Sequence, residues 1–320
     1  MKTLKQLKKL KNFNFIDFAT SIADEICPFK KPSNKGFTNE YFIICLIDFI
    51  DAYVSWGKYK GTNGYPIRGK YLNEIHNKYC RKGVYDKIHL ELTNKYLKRD
   101  RECKLKIQII DSTFIANKQG TSNNDSLLSN EEKQQNNKIR EKNKILPLKK
   151  IKKERKFIDF NRYNGRKKYF KKDIITDSYG FIYVHHTSSS KRADSQGLRE
   201  VVNKIPTNFN TLRNSNVNRY QQNILMDCGY ASEINKQFLI NKGYKPLIKY
   251  NKRNTKNKKI LKEKQMNAKQ KKIYKKRPVV EHSFAWLKSR PIINQNYEKT
   301  IVSYNGLFSL ACSLINSKRI

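Results

Sequence analysis

Lys106 to Thr113 reads KIQIIDST, and the fold of the chain turns on it. Ile107, Ile109 and Ile110 make a short β-rich run that closes on Asp111. Further along, KKDIITD (Lys171–Asp177) and GFIYVHHT (Gly180–Thr187) predict two strands joined through Asp177-Ser178-Tyr179-Gly180, a good turn sequence. Asp194 to Lys204 predicts a helix with Leu198, Val201 and Val202 on its apolar face. NILMD (Asn223–Asp227) predicts a short buried strand that again ends on an aspartate. Ala231 to Lys242 predicts a helix, and YKPLIKY (Tyr244–Tyr250) a strand. A very basic connector, Asn251–Lys276, follows. Between the first strand and the rest, residues 117–156 are polar and low in complexity, which predicts a mostly disordered insertion or a charged helical excursion.

The connector leads into RPVVEHSFAWL (Arg277–Leu287). Pro278 suits the first turn of a helix, where its missing N–H costs nothing. Val280, Phe284 and Leu287 then fall at i, i+4 and i+7, an apolar stripe of helical period. Glu281 lies at the edge of that stripe, with Arg277 and Lys288 on its own face. The plain reading is a core helix with an Arg277–Glu281 i,i+4 pair worth a few tenths of a kcal/mol. A final apolar segment, Ile301–Ile315, predicts a C-terminal helix.

Residues 1–100 read as mainly helical. Leu4, Leu7 and Leu10 recur at intervals of three on a lysine-rich segment, and Tyr41–Trp56 is apolar. A turn-rich stretch, Lys58–Gly69, precedes two further helical segments, Lys70–Tyr79 and Gly83–Leu97. This part is a candidate DNA-binding region or a scaffold. The longest apolar run, Tyr41–Ile50, is short and carries Asp48, so it predicts a core helix rather than a membrane span. The basic N-terminus lacks an apolar signal core, so an intracellular compartment containing DNA is expected, without secretion.

Composition narrows the partners. At 320 residues the chain can bury a substantial core, yet hydrophobic residues make up only 38%. Lys+Arg 68 against Asp+Glu 27 gives a net charge of +41, which repels itself unless a polyanion neutralises it. Nucleic acid fits that need. Cys27, Cys45, Cys80, Cys103, Cys228 and Cys312 are scattered with no C-x-x-C pair, which argues against a zinc ribbon or a disulfide framework. His76 and Cys80, four apart on a helix, do not close a zinc site alone.

From Lys106 onward the order is β-β-β-α-β-α-β-α. Three consecutive strands and then βα alternation predict an α/β fold with a ribonuclease-H-like mixed five-stranded sheet and flanking helices, behind a mainly helical N-terminal region. The expected division is 1–100 and 101–320, with the basic insertion at about 117–156 inside the second part. If the first and fourth strands lie side by side and parallel, Asp111 and Asp227 emerge at one edge of the sheet, where ligand sites of open α/β sheets form. Glu281, on a following helix, then lies over that edge. Three hard oxygen ligands suit Mg²⁺ or Mn²⁺. Two such ions would activate the attacking oxygen and stabilise the leaving one in phosphodiester displacement. The alternative is that Asp111 and Asp227 are turn or cap residues beside Ser112-Thr113 and Cys228-Gly229.

These residues carry a resemblance. IIDSTFI around Asp111, NGRKKYFKKDIITDSYGFIY, ILMDCGYAS around Asp227 and RPVVEHSFAWLKSRPI around Glu281 are similar, in that order, to DDE-type transposases of bacterial insertion sequences. The four/five grouping, with its retroviral-integrase-like catalytic domain, is the nearest in pattern. KYCRKGVYDKIHLEL (Lys78–Leu92) resembles the segment before the first aspartate. The resemblance covers roughly residues 65–316. It implies that Asp111, Asp227 and Glu281 are a metal-binding catalytic triad with two divalent ions. It also implies metal-dependent cleavage and strand transfer at the ends of a mobile element, on double-stranded DNA, with a homodimer left open. The lysine-rich insertion and Cys228 depart from the family pattern.

Arg277, Lys288, Arg290, Arg166 and Lys167 are candidate ligands of the DNA backbone; a surface ion pair and a solvated lysine are the alternative for the first two. Trp286 is expected to pack, His282 to be dispensable as a base, and His185-His186 to be structural. Asp194 is expected to cap the helix through Leu198. Two other functions remain beside the strand-transferase: an inactive or repurposed DNA-binding relative, and a related nuclease without strand joining.

Overall fold

The computed structural model describes residues 14–29, 37–98, 104–117, 159–160, 168–190, 194–205, 222–249 and 265–320. In chain order the elements are α1 (Phe15–Ile26), α2 (Asn39–Asp51), β1 (Gly61–Thr62), β2 (Tyr65–Pro66), α3 (Gly69–Lys82), α4 (Val84–Leu97) and β3 (Ile107–Asn117). Next come β4 (Asp159–Phe160), β5 (Lys168–Asp177), β6 (Ile182–Ser189), α5 (Asp194–Asn203), β7 (Asn223–Met226), α6 (Glu233–Asn241) and β8 (Lys245–Ile248). The chain closes with α7 (Ala268–Tyr274), α8 (Val279–Lys288), α9 (Pro291–Asn294), β9 (Gln295–Asn296) and α10 (Ile301–Asn316). The protein is a mixed α/β molecule, and no described helix is long and apolar enough to cross a membrane.

Two compact units emerge. One takes in Met1–Leu92, Ile115–Phe170 and Leu287–Ile320. Its core is helical because its apolar residues fall at helical spacing. Phe15, Ile16, Ala19, Ile22 and Ala23 line one face of α1, which starts on an Asn14 side-chain cap. In α2 nearly every residue from Phe42 to Ile50 is buried, so this helix runs through the core, as its length and apolar run predict. It stops at Asp51, short of the expected Trp56, whose ring stacks on Phe49 at 3.7 Å. α3 ends on Gly83, whose φ of 70° is the left-handed turn that glycine takes without strain. α10 is buried along almost its whole length and packs on α2 and α3. Between them runs a polar chain: Trp56 Nε1 donates to Glu298 (2.7 Å), Ser303 Oγ to Glu298 (2.5 Å), and His76 meets Ser303 Oγ and Tyr85 Oη at 2.8 Å each. His76 is thus fully occupied in the core, and burial pushes its imidazole down to about 3. The turn-rich stretch holds the β1–β2 hairpin, with Gly61 and Gly64 at positive φ.

The other unit takes in Thr93–Phe114 and Lys171–Trp286. β5, β3, β7 and β8 lie side by side in that order and β6 pairs with β5; with β4 on β5 and β9 on β3 the described sheet has seven strands where five were expected. β3 and β7 are parallel, with Ile107 opposite Asn223 and Ile109 opposite Leu225; β7 and β8 are parallel, with Met226 opposite Ile248. β7 is buried at all four positions, which is why NILM lacks the alternation of a half-exposed strand. α5 packs on β6, and α6 on α5 and β8. The expected turn between β5 and β6 forms: Asp177 Oδ1 accepts the N–H groups of Tyr179 and Phe181 (2.8 Å each), and Gly180 takes φ 81°. Tyr96 Oη donates to the other Asp177 oxygen at 2.6 Å, so this buried carboxylate is fully satisfied.

Two expectations are corrected. The first strand does not stop at Asp111 but continues to Asn117, because Ala116 and Asn117 find new parallel partners in Gln295 and Asn296. The basic connector contains a helix, α7, begun by a reciprocal cap between Asn267 and Gln270. Its lysines hid it: the helix has no apolar stripe and no buried residue, and only Gln270, Ile273 and Tyr274 are half-buried. The leucines at 4, 7 and 10 and the insertion after Asn117, up to residue 156, lie outside the described residues.

Candidate active site

β7 ends after four residues, and its register with β3 stops at Ile109 and Leu225. Asp111 and Asp227 therefore lie just beyond the paired part of two neighbouring parallel strands. Each carboxylate is oriented by the next peptide: Ser112 N–H donates to Asp111 Oδ1 at 2.9 Å, and Cys228 N–H to Asp227 Oδ1 at 2.7 Å. Asp227 in this way caps the short helical turn Cys228–Tyr230, so the cap reading and the site reading describe the same side chain.

Tyr274, Arg277 and Glu281 project from successive turns across α7 and α8. Tyr274 Oη donates to the Met226 carbonyl at 2.9 Å, which ties α7 to the end of β7 beside Asp227. Arg277 is the centre of the cluster. Its Nη1 donates to Glu281 at 2.6 Å and its Nη2 to Asp111 at 3.3 Å, while its buried Nε has no hydrogen-bond partner among the described residues. One guanidinium thus links a carboxylate on β3 with another 170 positions later.

The electrostatics agree with the geometry. Burial raises the Asp111 carboxyl to about 6; the Ser112 N–H and Arg277 oppose that shift, and the charges of Asp227 and Glu281 add to it. Burial opposes the charge on Arg277, but Asp111, Glu281 and Asp227 together raise it. Tyr274 is pushed up to about 12, first by burial, with Asp227 adding. All three acids expected to act together share one field. Among the described residues, however, no group of three His, Cys, Asp or Glu side chains is already placed to hold a metal ion. The donor set itself, three carboxylates, is of the hard-oxygen type that Mg²⁺ and Mn²⁺ take. Arg277 supplies the positive charge that the trio gathers around.

A fourth carboxylate was missed. Asp194, expected as a helix cap, instead accepts from Lys171 Nζ at 2.6 Å and from Ser112 Oγ at 2.7 Å through the same oxygen. Its other oxygen crowds Gly229, where an added Cβ would come within 2.9 Å. Asp194 therefore touches the residue after Asp111 and the second residue after Asp227. Lys171 was legible only as a strand residue; its inward direction, with the side chain 7% exposed, follows from the pleat of β5.

The remaining candidates divide. Glu281 and His282 are exposed on α8, and Ser283 is buried with its hydroxyl on the Gly180 carbonyl at 3.2 Å. Trp286, expected to pack, is 44% exposed. His185 meets Lys172 at 3.0 Å and His186 meets Glu200 at 2.9 Å, structural contacts on β6. Lys288 is half-buried, and burial lowers its ammonium. Arg290 is committed to an ion pair with Asp51 in the helical unit. Arg166 and Lys167 lie outside the described residues.

A family model described as a transposase DDE domain matches residues 102–315. Neither the curated proteins nor the solved structures contain a match.

Proposed function

Because the chain belongs to the transposases with a DDE domain, we propose that it cleaves DNA at the ends of a mobile element and joins the freed ends to target DNA, using Asp111, Asp227 and Glu281. Transposases of this kind act on DNA and generally use divalent metal ions. The observation that carries the residue assignment is the Arg277 bridge, which gathers Asp111 and Glu281 at the edge where Asp227 stands. The order β5-β3-β7-β8, with β6 paired to β5, supports a ribonuclease-H-like reading of the sheet. The motif strings around the three acids support the four/five grouping. The linear division at about residue 100, with a DNA-holding N-terminal region, belongs to the same proposal.

In this reading Asp111, Asp227 and Glu281 hold a pair of Mg²⁺ or Mn²⁺ ions. When bound, such ions supply Lewis-acid activation of the attacking oxygen and neutralisation of the leaving one. The residues of the chain do the rest. Ser112 and Cys228 N–H groups hold the two aspartates in one rotamer. Tyr274 fixes the approach of α7 and α8 to the end of β7. Arg277, whose Nη1 is now on Glu281, is a candidate for a backbone phosphate oxygen when Glu281 is engaged elsewhere. Lys288 is a further candidate for the backbone.

The test uses purified protein and duplexes carrying the inverted ends that flank its gene. Alanine at Asp111, Asp227 or Glu281 should abolish both nicking and joining while leaving duplex affinity within about twofold. Full cleavage by Asp227→Ala would remove the assignment. A second reading, a DNA-binding relative without catalysis, is favoured by one observation: Asp111 and Glu281 are both paired with Arg277. It predicts salt-sensitive binding and no metal-dependent product. Nicked duplex with no joined strands would instead favour a nuclease.

A further inference from the structure

The parallel strands have a second end, and it too is charged. Lys106 immediately precedes β3 and Lys245 is the first residue of β8; the first turn of α7 brings Lys269 to the same place. With Asn267 and Gln270 these lysines line an open cleft of about 350 Å³. β7 is four residues long, so this cleft is separated from Asp227 by about 13 Å of strand.

The chemistry of the lining selects one sign of ligand. Among the described residues no carboxylate lines the cleft, and none of the three lysines forms an ion pair. The two amides are not neutral bystanders either. In the reciprocal cap of α7, Asn267 Oδ1 accepts the Gln270 N–H at 2.8 Å and Gln270 Oε1 accepts the Asn267 N–H at 3.0 Å. Both amide oxygens are consumed by the backbone, which leaves the two NH₂ groups as the free ends. Three ammonium groups and two amide donors, beside Asn223 and Ile273, make a donor-rich surface suited to phosphate oxygens. Its open shape fits a run of chain better than a small enclosed molecule.

We propose that this cleft is a second phosphate site, which holds the sugar–phosphate backbone of duplex DNA at the end of the sheet opposite the acidic trio. It rests on the reading of DNA as substrate. The role is positional: duplex held there is not cut but adds phosphate contacts, and so affinity, to duplex engaged at the reacting edge.

The experiment compares two triple variants of the full chain, each losing three positive charges: K106Q/K245Q/K269Q in the cleft, and K204Q/K299Q/K318Q at exposed lysines that do not line it. Affinity for a duplex of random sequence is measured by fluorescence anisotropy across a salt series. Each phosphate contact contributes about 0.9 to the slope of log K against log salt. The cleft variant should flatten that slope by about 2 to 3, the control by less than about 1, and K106R/K245R/K269R should keep the original slope. Equal slopes in the cleft and control variants would overturn the site. Heat from titrated pyrophosphate that disappears in the cleft variant, with the duplex slope unchanged, would mark a small-anion pocket and overturn the DNA assignment. A protein that binds with these slopes but never cleaves would sink the proposed catalysis and leave the cleft standing.

Discussion

At the scale of single residues, Arg277 decides how the acidic cluster behaves. Its guanidinium competes for the space and charge that a divalent cation would use. Arg277→Gln should therefore tighten Mn²⁺ binding to the DNA-free protein several-fold, read by the loss of the free-ion spin-resonance signal; weaker binding would show that the arginine helps to build the site. Asp173 allows a test by pH. Burial raises its carboxyl from 3.8 to about 6, with Lys171 opposing. Below pH 3.8 the group is protonated in both states and costs nothing; between 3.8 and about 6 the unfolded state gives up its proton while the folded state keeps it, so stability falls across that window and levels off above it. Asp173→Asn should therefore melt higher than the parent at pH 8 and equally at pH 3.5, and the same difference at both pH values would refute that account. Asp194 is the contrasting case. Asp194→Ala removes the carboxylate to which Lys171 and Ser112 donate, and should destabilise by about 1–3 kcal/mol, measured by urea unfolding. The sequence marked Asp111, Asp227 and Glu281 by their positions at strand ends and on a helix rim. It did not mark Asp194, because a residue that opens a helix reads as a cap until its neighbours in space are known.

At the scale of elements, the legible ones were those whose burial is uniform or periodic. NILMD, KKDIITD and the Asp177–Gly180 turn were readable because each carries its own local cause: an apolar run, or a turn residue that bonds its own backbone. What escaped were features that depend on a distant partner. β3 runs past Asp111 only because β9, far along the chain, pairs with its end. α7 forms in a lysine-rich stretch because a reciprocal cap and one tyrosine hold it. In the helical unit, α10 approaches α3 and α4 so closely at Gly306 that an added Cβ would lie 2.5 Å from Cys80 Sγ and 2.9 Å from the Tyr85 ring. Both neighbours are packed, Tyr85 fully buried and tied to His76. Gly306→Ala should therefore destabilise by about 1–3 kcal/mol in denaturant unfolding; a neutral substitution would mean that the ring moves aside freely.

At the scale of the whole molecule, the net charge of +41 is the dominant feature. Composition alone pointed to a polyanion, and the family of the chain makes that polyanion DNA. Charge of this size draws any duplex to the surface, so affinity by itself says little about catalysis. The central claim is narrower: Asp111, Asp227 and Glu281 act as ligands of one metal centre. Metal exchange at Asp227 tests it most directly, because a thiolate is a poor ligand for Mg²⁺ and a better one for softer ions. Cleavage of the element ends by Asp227→Cys should vanish in Mg²⁺ and return in Mn²⁺ supplemented with Cd²⁺, while the parent cleaves in Mg²⁺. Undiminished cleavage by Asp227→Cys in Mg²⁺ would contradict the account.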